Sequence, residues 1–345
     1  MMTLKQLVRP NIQRLTPYTC ARNEYTGEAR AWLDANENSR IDGLNRYPDP
    51  LQTEVKKRLG ALRGISHDRI FLGVGSDECI DLCYRVFCRP GIDNVVAIEP
   101  TYGMYSVCAE INDAEYRPVR LNEDFSINEE ALFSAVDSNT KVLWICSPNN
   151  PTGNAYPTDQ LRRIASRFEG ITVIDEAYVD FSEKGSMLPY IDGLTNMIVM
   201  QTFSKAWASA AMRLGIAYAS KEIIDIFNNV KYPYNINILT QNEAIRVLDS
   251  HRKVADVAEE LVEARKRLAG DLAKLDTVLK VYPSDANFLL VRVTDADRIY
   301  EKLKDEGVIV RNRSKVALCE GCLRITVGSE KENDLLLNKL KEHGN

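Results

Sequence analysis

The chain has no long apolar run, no excess of basic residues and no complete metal-ligand motif, and each absence excludes a class of protein. No stretch approaches the roughly 20 apolar residues that span a bilayer. With 44 Lys and Arg against 49 Asp and Glu in 345 residues, the formal net charge is -5, so bulk charge offers nucleic acid no footprint. Recognition of one phosphate or carboxylate by individual arginines is left open. Cys319-Glu320-Gly321-Cys322 has metal or redox spacing, but no second cysteine pair or histidine cluster completes a zinc site, and no metal is expected. The first residues, Met1-Met2-Thr3-Leu4-Lys5 and on through Arg9, Pro10 and Arg14, lack an apolar signal core. A cytoplasmic protein with reduced cysteines is therefore expected. Cys79 and Cys83, four apart on an apolar helical stretch, read as core packing. There is no internal repeat and no low-complexity segment.

What is present is an alternation of short apolar runs and amphipathic stretches. Strands are expected at 69–72, 95–98, 116–119, 141–146, 171–175, 197–202 and 214–218, with helices at 51–62, 105–111, 128–136 and 158–168 and one running to Phe87. Pro118 places 116–119 at a sheet edge, because proline removes a ladder donor. The short link before 214–218 leaves no room for a crossover helix, so that strand is expected to be antiparallel to its predecessor. The pattern implies an α/β sheet covered on both faces. From about residue 237 it changes to a charged helical stretch over 240–275, broken near Ser250. Strands at 287–293 and 323–327 and helices at 296–306 and 330–341 follow, an α+β lobe. Residues 1–40 look irregular, apart from a strand-like Ala31-Trp32-Leu33.

Ligands bind open α/β sheets at the carboxyl ends of strands, and chemistry-bearing residues cluster at those ends here. Gln201-Thr202-Phe203-Ser204-Lys205-Ala206-Trp207 follows an apolar run, and Arg213 lies eight residues after the lysine. A lysine in a dry site beside a cation has its ammonium form disfavoured and becomes an amine nucleophile; a solvated surface lysine is the alternative. Gly75-Ser76-Asp77 opens a helix, where free N–H groups suit a phosphate or a simple N-cap. Tyr102 follows a strand and could stack on a planar ligand or pack in the core. Asn150 sits in a Pro- and Gly-containing turn. Asp175 ends a buried strand and needs a cationic partner, which an ordinary arginine or a protonated pyridine nitrogen would supply. Taken together, a lysine amine, a carboxylate, a ring platform and a phosphate cup fit one cofactor, pyridoxal 5'-phosphate.

The ordered motifs carry a family resemblance. Asp34-Ala35-Asn36-Glu37-Asn38, Arg46-Tyr47-Pro48-Asp49-Pro50, Gly75-Ser76-Asp77-Glu78, Pro100-Thr101-Tyr102-Gly103-Met104-Tyr105, Ser147-Pro148-Asn149-Asn150-Pro151-Thr152-Gly153, Ile174-Asp175-Glu176-Ala177-Tyr178, Thr202-Phe203-Ser204-Lys205 and Cys322-Leu323-Arg324-Ile325-Thr326-Val327-Gly328 span nearly the whole chain. In that order and spacing they resemble the aspartate-aminotransferase-like pyridoxal-phosphate enzymes of fold type I. The resemblance implies a large domain, 41–240, with a mixed, mostly parallel seven-stranded sheet, and a smaller α+β domain formed by 1–40 and 241–345. It implies that Lys205 holds the cofactor covalently and later moves protons, that Asp175 pairs with the pyridine nitrogen, and that Tyr178 and Asn150 bond the phenolic oxygen beneath Tyr102. Gly75, Ser76, Asp77, Thr202, Ser204 and Arg213 would bind the phosphate, and Tyr47 would reach a partner subunit's cofactor across a homodimer interface. Arg324 would grip the substrate carboxylate. Arg311, with Tyr18, would take a phosphate on the substrate itself, and Asn36 and Asn150 would complete the substrate site. The implied reaction is ping-pong amino transfer between a phosphate-bearing amino donor and a 2-oxo acid, 2-oxoglutarate. The same scaffold also serves aromatic amino acids and the decarboxylation of a phosphorylated threonine. Ala211-Met212-Arg213 departs from the family's Gly-Leu-Arg, and the variable loop 312–318 leaves Arg311 and Arg313 able to exchange roles.

Overall fold

Strands covered on both faces need apolar side chains at every position rather than every second one. β4 (Thr140–Cys146), β5 (Ile171–Asp175) and β6 (Met197–Thr202) are apolar over most of their length, with Lys141, Asp175 and Gln201 near strand ends, and all three are buried throughout. The computed structural model describes residues 3–25, 27 and 29–342. It places these strands at the centre of a seven-stranded sheet with β1 (Ile70–Val74), β2 (Asn94–Glu99), β3 (Glu115–Arg120) and β7 (Leu214–Tyr218), in the order β1-β7-β6-β5-β4-β2-β3. All neighbours are parallel except β7, which runs antiparallel to both β1 and β6. The edge position of β3, with Pro118 in it, is as expected from the missing donor.

Successive side chains on a strand point to opposite faces, so the sheet feeds two cores. Leu143, Ile145, Ile174 and Val199 face one. Val142, Trp144, Val173 and Met200 face the other, beneath the helix Gly75–Phe87 and the helix Lys221–Val230. Cys79 and Cys83 are fully buried in that second layer. The first core is closed by Phe288, Leu290 and Cys322 from the C-terminal lobe. That lobe is an antiparallel sheet, β10-β11-β9-β8, built from β8 (Val278–Val281), β9 (Phe288–Val293), β10 (Arg311–Asn312) and β11 (Cys322–Thr326). The helices His251–Leu272, Ala296–Asp305 and Glu330–Glu342 cover it around Leu268, Leu272, Ile299 and Leu336. The charged helical stretch does break at Ser250, between Ile238–Asp249 and His251–Leu272.

The structure differs from the sequence reading at short or local elements. β8, β10 and the helix Lys221–Val230 were not expected, and Ala31-Trp32-Leu33 forms no strand. The N-terminal segment differs in its partner. Leu7 and Val8 are buried in the helical layer of the seven-stranded sheet, and the Arg9 N–H donates to the Val86 carbonyl at 2.9 Å. Residues 3–13 therefore pack on the large sheet, not on the C-terminal lobe with which 1–40 was grouped. Two four-residue helices carry too little periodicity to declare what they pack against. No helix among the described residues is long and apolar enough to cross a membrane.

Candidate active site

The carboxyl ends of β4, β5 and β6 lie side by side, and a cavity of about 570 Å³ opens above them, walled on the far side by the β10–β11 hairpin. Lys205 enters from the turn that leaves β6. Phe203 and Trp207 flank it, both buried, with rings 5.2 Å apart, and they anchor the turn. The Lys205 Nζ stands 5.6 Å from the centre of the Tyr178 ring and has no hydrogen-bond or ion-pair partner among the described residues. Burial pushes its pKa down, and the nearby Arg324 and Arg213 guanidiniums add to the shift against the opposing pull of Asp175 and Asp77. The shift is toward the neutral, nucleophilic amine.

Asp175 closes the floor at only 2 % exposure. Its carboxylate accepts from the Tyr105 hydroxyl at 2.6 Å and from the Ala177 N–H at 3.1 Å, yet it has no cation partner at bonding distance among the described residues. Burial accordingly raises its pKa. A buried carboxylate with hydrogen bonds and no counter-charge is matched by a ligand that brings the positive charge. Above it, Asn150 Nδ2 donates to the Tyr178 hydroxyl at 3.4 Å, while Asn150 Oδ1 accepts from Arg324. The Tyr178 ring rests edge-on against Phe288, 5.2 Å between centres, so the two lobes share this wall.

The other end is shaped for a small anion. The helix Gly75–Phe87 starts under the cavity, and its first-turn N–H groups have no carbonyl four residues back to accept them. Arg213 arches over this turn in a left-handed conformation, and its carbonyl accepts from the Gly75 N–H at 2.8 Å. Gly75 has φ +70°, and a Cβ there would meet Arg213 Nη2 at 2.7 Å. A Cβ on Gly215 would strike the Gly75–Ser76 backbone at 2.3 Å. The two glycines let strand, turn and guanidinium close into one cradle. Asp77 Oδ2 lies 3.3 Å from Arg213 Nη2, and Asp77 Oδ1 accepts from the Tyr102 hydroxyl at 3.3 Å. Thr202 and Ser204 complete the wall.

Ser76, Asp77, Tyr102, Asn150, Asp175, Tyr178, Thr202, Ser204, Lys205, Arg213, Arg311 and Arg324 thus all line one cavity, with Gly75 directly beneath. Arg313 lines it too. Two expected residues, Tyr18 and Asn36, do not. Tyr18 is 72 % exposed, beside Pro50 and Asn228, and Asn36 lies in a separate depression with Leu44 and Tyr47. Both lie outside the cavity at the strand ends that converge on Lys205. Tyr47 stacks on Tyr234 at 4.5 Å, likewise away from the cavity of its own chain.

One residue of the site had no role assigned from sequence. Tyr105 is fully buried and packed flat against Trp144, 4.7 Å between centres and 14° between planes, and Trp144 in turn stacks on Tyr84. The Tyr84 hydroxyl donates to the Tyr105 carbonyl at 2.6 Å. This stack fixes the hydroxyl that orients Asp175. Its only sequence signal is the spacing of three from Tyr102 at a helix start. Tyr105→Phe is expected to weaken cofactor binding by about tenfold, the worth of one hydrogen bond to a charged group. Fluorescence titration of the apoprotein would read it, and wild-type affinity would count against the orienting role.

Pyridoxal 5'-phosphate is the group these residues fit: an unpartnered lysine amine, a buried carboxylate lacking a cation, and a glycine-built anion cradle at the required ends of one cavity. The protein is a pyridoxal-phosphate-dependent enzyme in its fold and site. More narrowly, the chain belongs to the aminotransferase class I and II family, whose pattern it matches over residues 20–340. It is 51% identical over 341 residues to the histidinol-phosphate aminotransferase of Parabacteroides distasonis, covering 99% of both chains. The structure resembles the histidinol-phosphate aminotransferase of Clostridium acetobutylicum with a TM-score of 0.81 at 24% identity, over 88% of this chain and 91% of that one. It also resembles the Sinorhizobium meliloti histidinol-phosphate aminotransferase in complex with pyridoxal-5'-phosphate, with a TM-score of 0.77 at 23% identity, over 86% and 82% of the two chains.

Proposed function

We propose that the enzyme transfers the amino group reversibly between L-histidinol phosphate and 2-oxoglutarate, giving imidazole acetol phosphate and glutamate. It works in the cytoplasm as a homodimer. The observation that carries the substrate reading is the convergence of Arg311, Arg313 and Arg324 on the cavity, none of them paired with an acid among the described residues. Unpaired guanidiniums in a partly dry cavity call for anionic substrates, and planar forks suit phosphate and carboxylate. The sequence relatives at about half identity over the full chain carry this activity in their names and support the choice.

When bound, pyridoxal phosphate supplies a ring that draws away the electron pair left at the substrate's Cα. The protein does the rest. Asp175 holds a negative charge against the ring nitrogen, and Tyr105 keeps that carboxylate in place. The cradle of Gly75, Ser76, Ser204 and Arg213 fixes the phosphate end. Tyr178 and Asn150 donate toward the phenolic oxygen. Arg324 grips the anionic group next to Cα, which aligns the Cα–H bond with Lys205. With cofactor and substrate bound, Lys205 Nζ would take the proton from Cα and deliver it to the cofactor carbon on the far side of the substrate nitrogen, a transfer its lowered pKa suits. Tyr47, stacked on Tyr234 outside its own cavity, would serve the partner's cradle in the dimer.

A spectral half-reaction titration tests the substrate. Histidinol phosphate and glutamate are each expected to convert the bound cofactor to its amine form at micromolar to millimolar concentrations, the usual enzymatic range. Conversion by phenylalanine but not by histidinol phosphate would overturn the reading, as would release of carbon dioxide from phosphothreonine. Sedimentation as a single chain would remove the dimer.

A further inference from the structure

β2 and β4 are parallel neighbours, so the turns that leave their carboxyl ends lie side by side. The first carries Tyr102 and the second Asn150, and both residues line the cavity. Asn149, between Pro148 and Asn150, is not among the lining residues and is fully buried. Each of its polar groups is bonded. Its Nδ2 donates to Thr152 Oγ1 at 2.7 Å within its own turn and to the Pro100 carbonyl at 2.9 Å in the other. Its Oδ1 accepts from the Thr101 hydroxyl at 2.9 Å. Its N–H donates to the Asn154 carbonyl at 2.8 Å, and its carbonyl accepts from the Gly153 N–H at 2.7 Å.

An asparagine in a turn ordinarily bonds the backbone of that same turn. Two of the three side-chain bonds here leave it and reach residues 49 and 48 positions away. Among the described residues no other hydrogen bond joins the Tyr102 turn to the Asn150 turn. The C-terminal lobe holds the Asn150 turn from its other side. The Asp285 N–H donates to the Gly153 carbonyl at 2.7 Å, Asp285 Oδ2 accepts from the Ala155 N–H at 2.8 Å, and Arg324 donates to Asn150 Oδ1. Truncating Asn149 would leave the Pro100 carbonyl and the Thr101 hydroxyl without this partner, a cost that favours separation of the two turns. The bonds to the lobe would remain, and none would remain toward Tyr102.

Resting on the reading of Asn150 as a donor to the cofactor's phenolic oxygen, we propose that Asn149 is a positioning residue that ties the Tyr102 turn to the Asn150 turn and so sets where a ring stacked on Tyr102 meets the Asn150 amide. A shift of the Asn150 turn toward the lobe keeps the contact of Asn150 with Arg324 and lengthens the one to the cofactor. A donor to the phenolic oxygen stabilises its negative form and weakens its hold on a proton. Asn149 therefore acts on the acidity of the bound cofactor without touching it, and leaves the arginine that grips the substrate carboxylate in place.

The test follows the absorbance of the holoenzyme against pH in the wild type, Asn149→Ala, Thr101→Val, Thr152→Val and Asn150→Ala. In Asn149→Ala the pH midpoint of the spectral change is expected to rise by about half a unit to one unit, the worth of one weakened hydrogen bond. Thr101→Val removes one bond between the turns and nearly keeps the shape of the side chain. It is expected to move the midpoint the same way by less, and it serves if Asn149→Ala does not fold. Thr152→Val removes only bonds within the Asn150 turn, so the midpoint is expected to stay within about 0.2 units while the melting temperature falls. In Asn149→Ala kcat is expected to fall by about 10- to 100-fold with the KM for glutamate within about threefold, the pattern of a displaced group that does not bind the substrate. An unmoved midpoint in both Asn149→Ala and Thr101→Val, a shift in Thr152→Val as large as in Thr101→Val, or a loss carried by KM instead of kcat overturns the assignment. Asn150→Ala keeps the two readings apart. A midpoint that rises there but in neither Asn149→Ala nor Thr101→Val overturns the role of Asn149 and leaves the donor reading standing, and a midpoint that stays unchanged in Asn150→Ala removes both. The spectral measurement needs no turnover, so it decides Asn149 whichever amino donor the enzyme uses.

Discussion

Lys205→Ala should leave a folded protein whose amino transfer is lower by at least about 10⁴-fold, the upper range for removing a positioned acid–base group, with loss of covalent catalysis adding to it. The argument is geometric as well as chemical. The Lys205 Nζ is held over the Tyr178 ring, and no other lysine among the described residues lines the cavity. The fold should survive, because the ammonium makes no hydrogen bond or ion pair among the described residues, and Phe203 and Trp207 keep the turn in place. The variant should still take up the cofactor through the phosphate cradle but release it on gel filtration, and it should lack the absorbance band of the covalent link. Retention of that band would remove Lys205 from its role. The pH dependence follows from the direction of the shift. With a pKa below that of an ordinary lysine, the free amine is already populated at lower pH. Covalent capture of the cofactor by the apoprotein should therefore rise with pH and level off before the usual lysine range.

Asp175→Asn should produce the second-largest loss. The side chain keeps its shape, and an oxygen remains to accept from Tyr105, so the local packing around Trp144 should persist. What disappears is the negative charge proposed to face the ring nitrogen. Removing one member of a buried charge pair costs about 3–5 kcal/mol, which corresponds to roughly 150-fold to a few thousand-fold in kcat/KM. An unchanged circular-dichroism spectrum with kcat/KM reduced on that scale is the expected pair of results. A loss below about tenfold would mean that the nitrogen does not depend on this carboxylate for its charge. Tyr105→Phe separates the two contributions, since it leaves the charge and removes only the group that orients it.

Much of this site is legible without coordinates because strand ends are local features. An apolar run of five or six residues followed by turn residues tells where β5 and β6 stop, and that places Asp175 and Lys205 on one edge of the sheet. The Gly75-Ser76-Asp77 turn and the Asn150 loop follow by the same logic. Arg213 was legible as well, since it sits eight residues beyond the lysine on a short link. Where Tyr18, Asn36 and Tyr47 lie was not legible in the same way. They lie in an irregular segment with no strand or long helix to set its direction, and they lie away from the cavity of their own chain. The Tyr105–Asp175 bond was hidden for a related reason. It joins residues 70 apart in sequence, and nothing local says that one hydroxyl will find that carboxylate.

The sequence by itself determined the alternation of strands and helices, the edge position of Pro118, the antiparallel β7 and the residue types waiting at the strand ends. These follow from hydrophobic periodicity, proline chemistry and connection length, all of which act over a few residues. Only the tertiary structure decided the strand order, the packing of Leu7 and Val8 on the large sheet, and the closing of the first core by Phe288 and Leu290. It alone also separated Arg313 from Arg311. Both are arginines in one short strand and loop, alike in sequence, and they differ in how far water reaches them. Burial depends on what a distant part of the chain lays over a residue, and no local pattern records that.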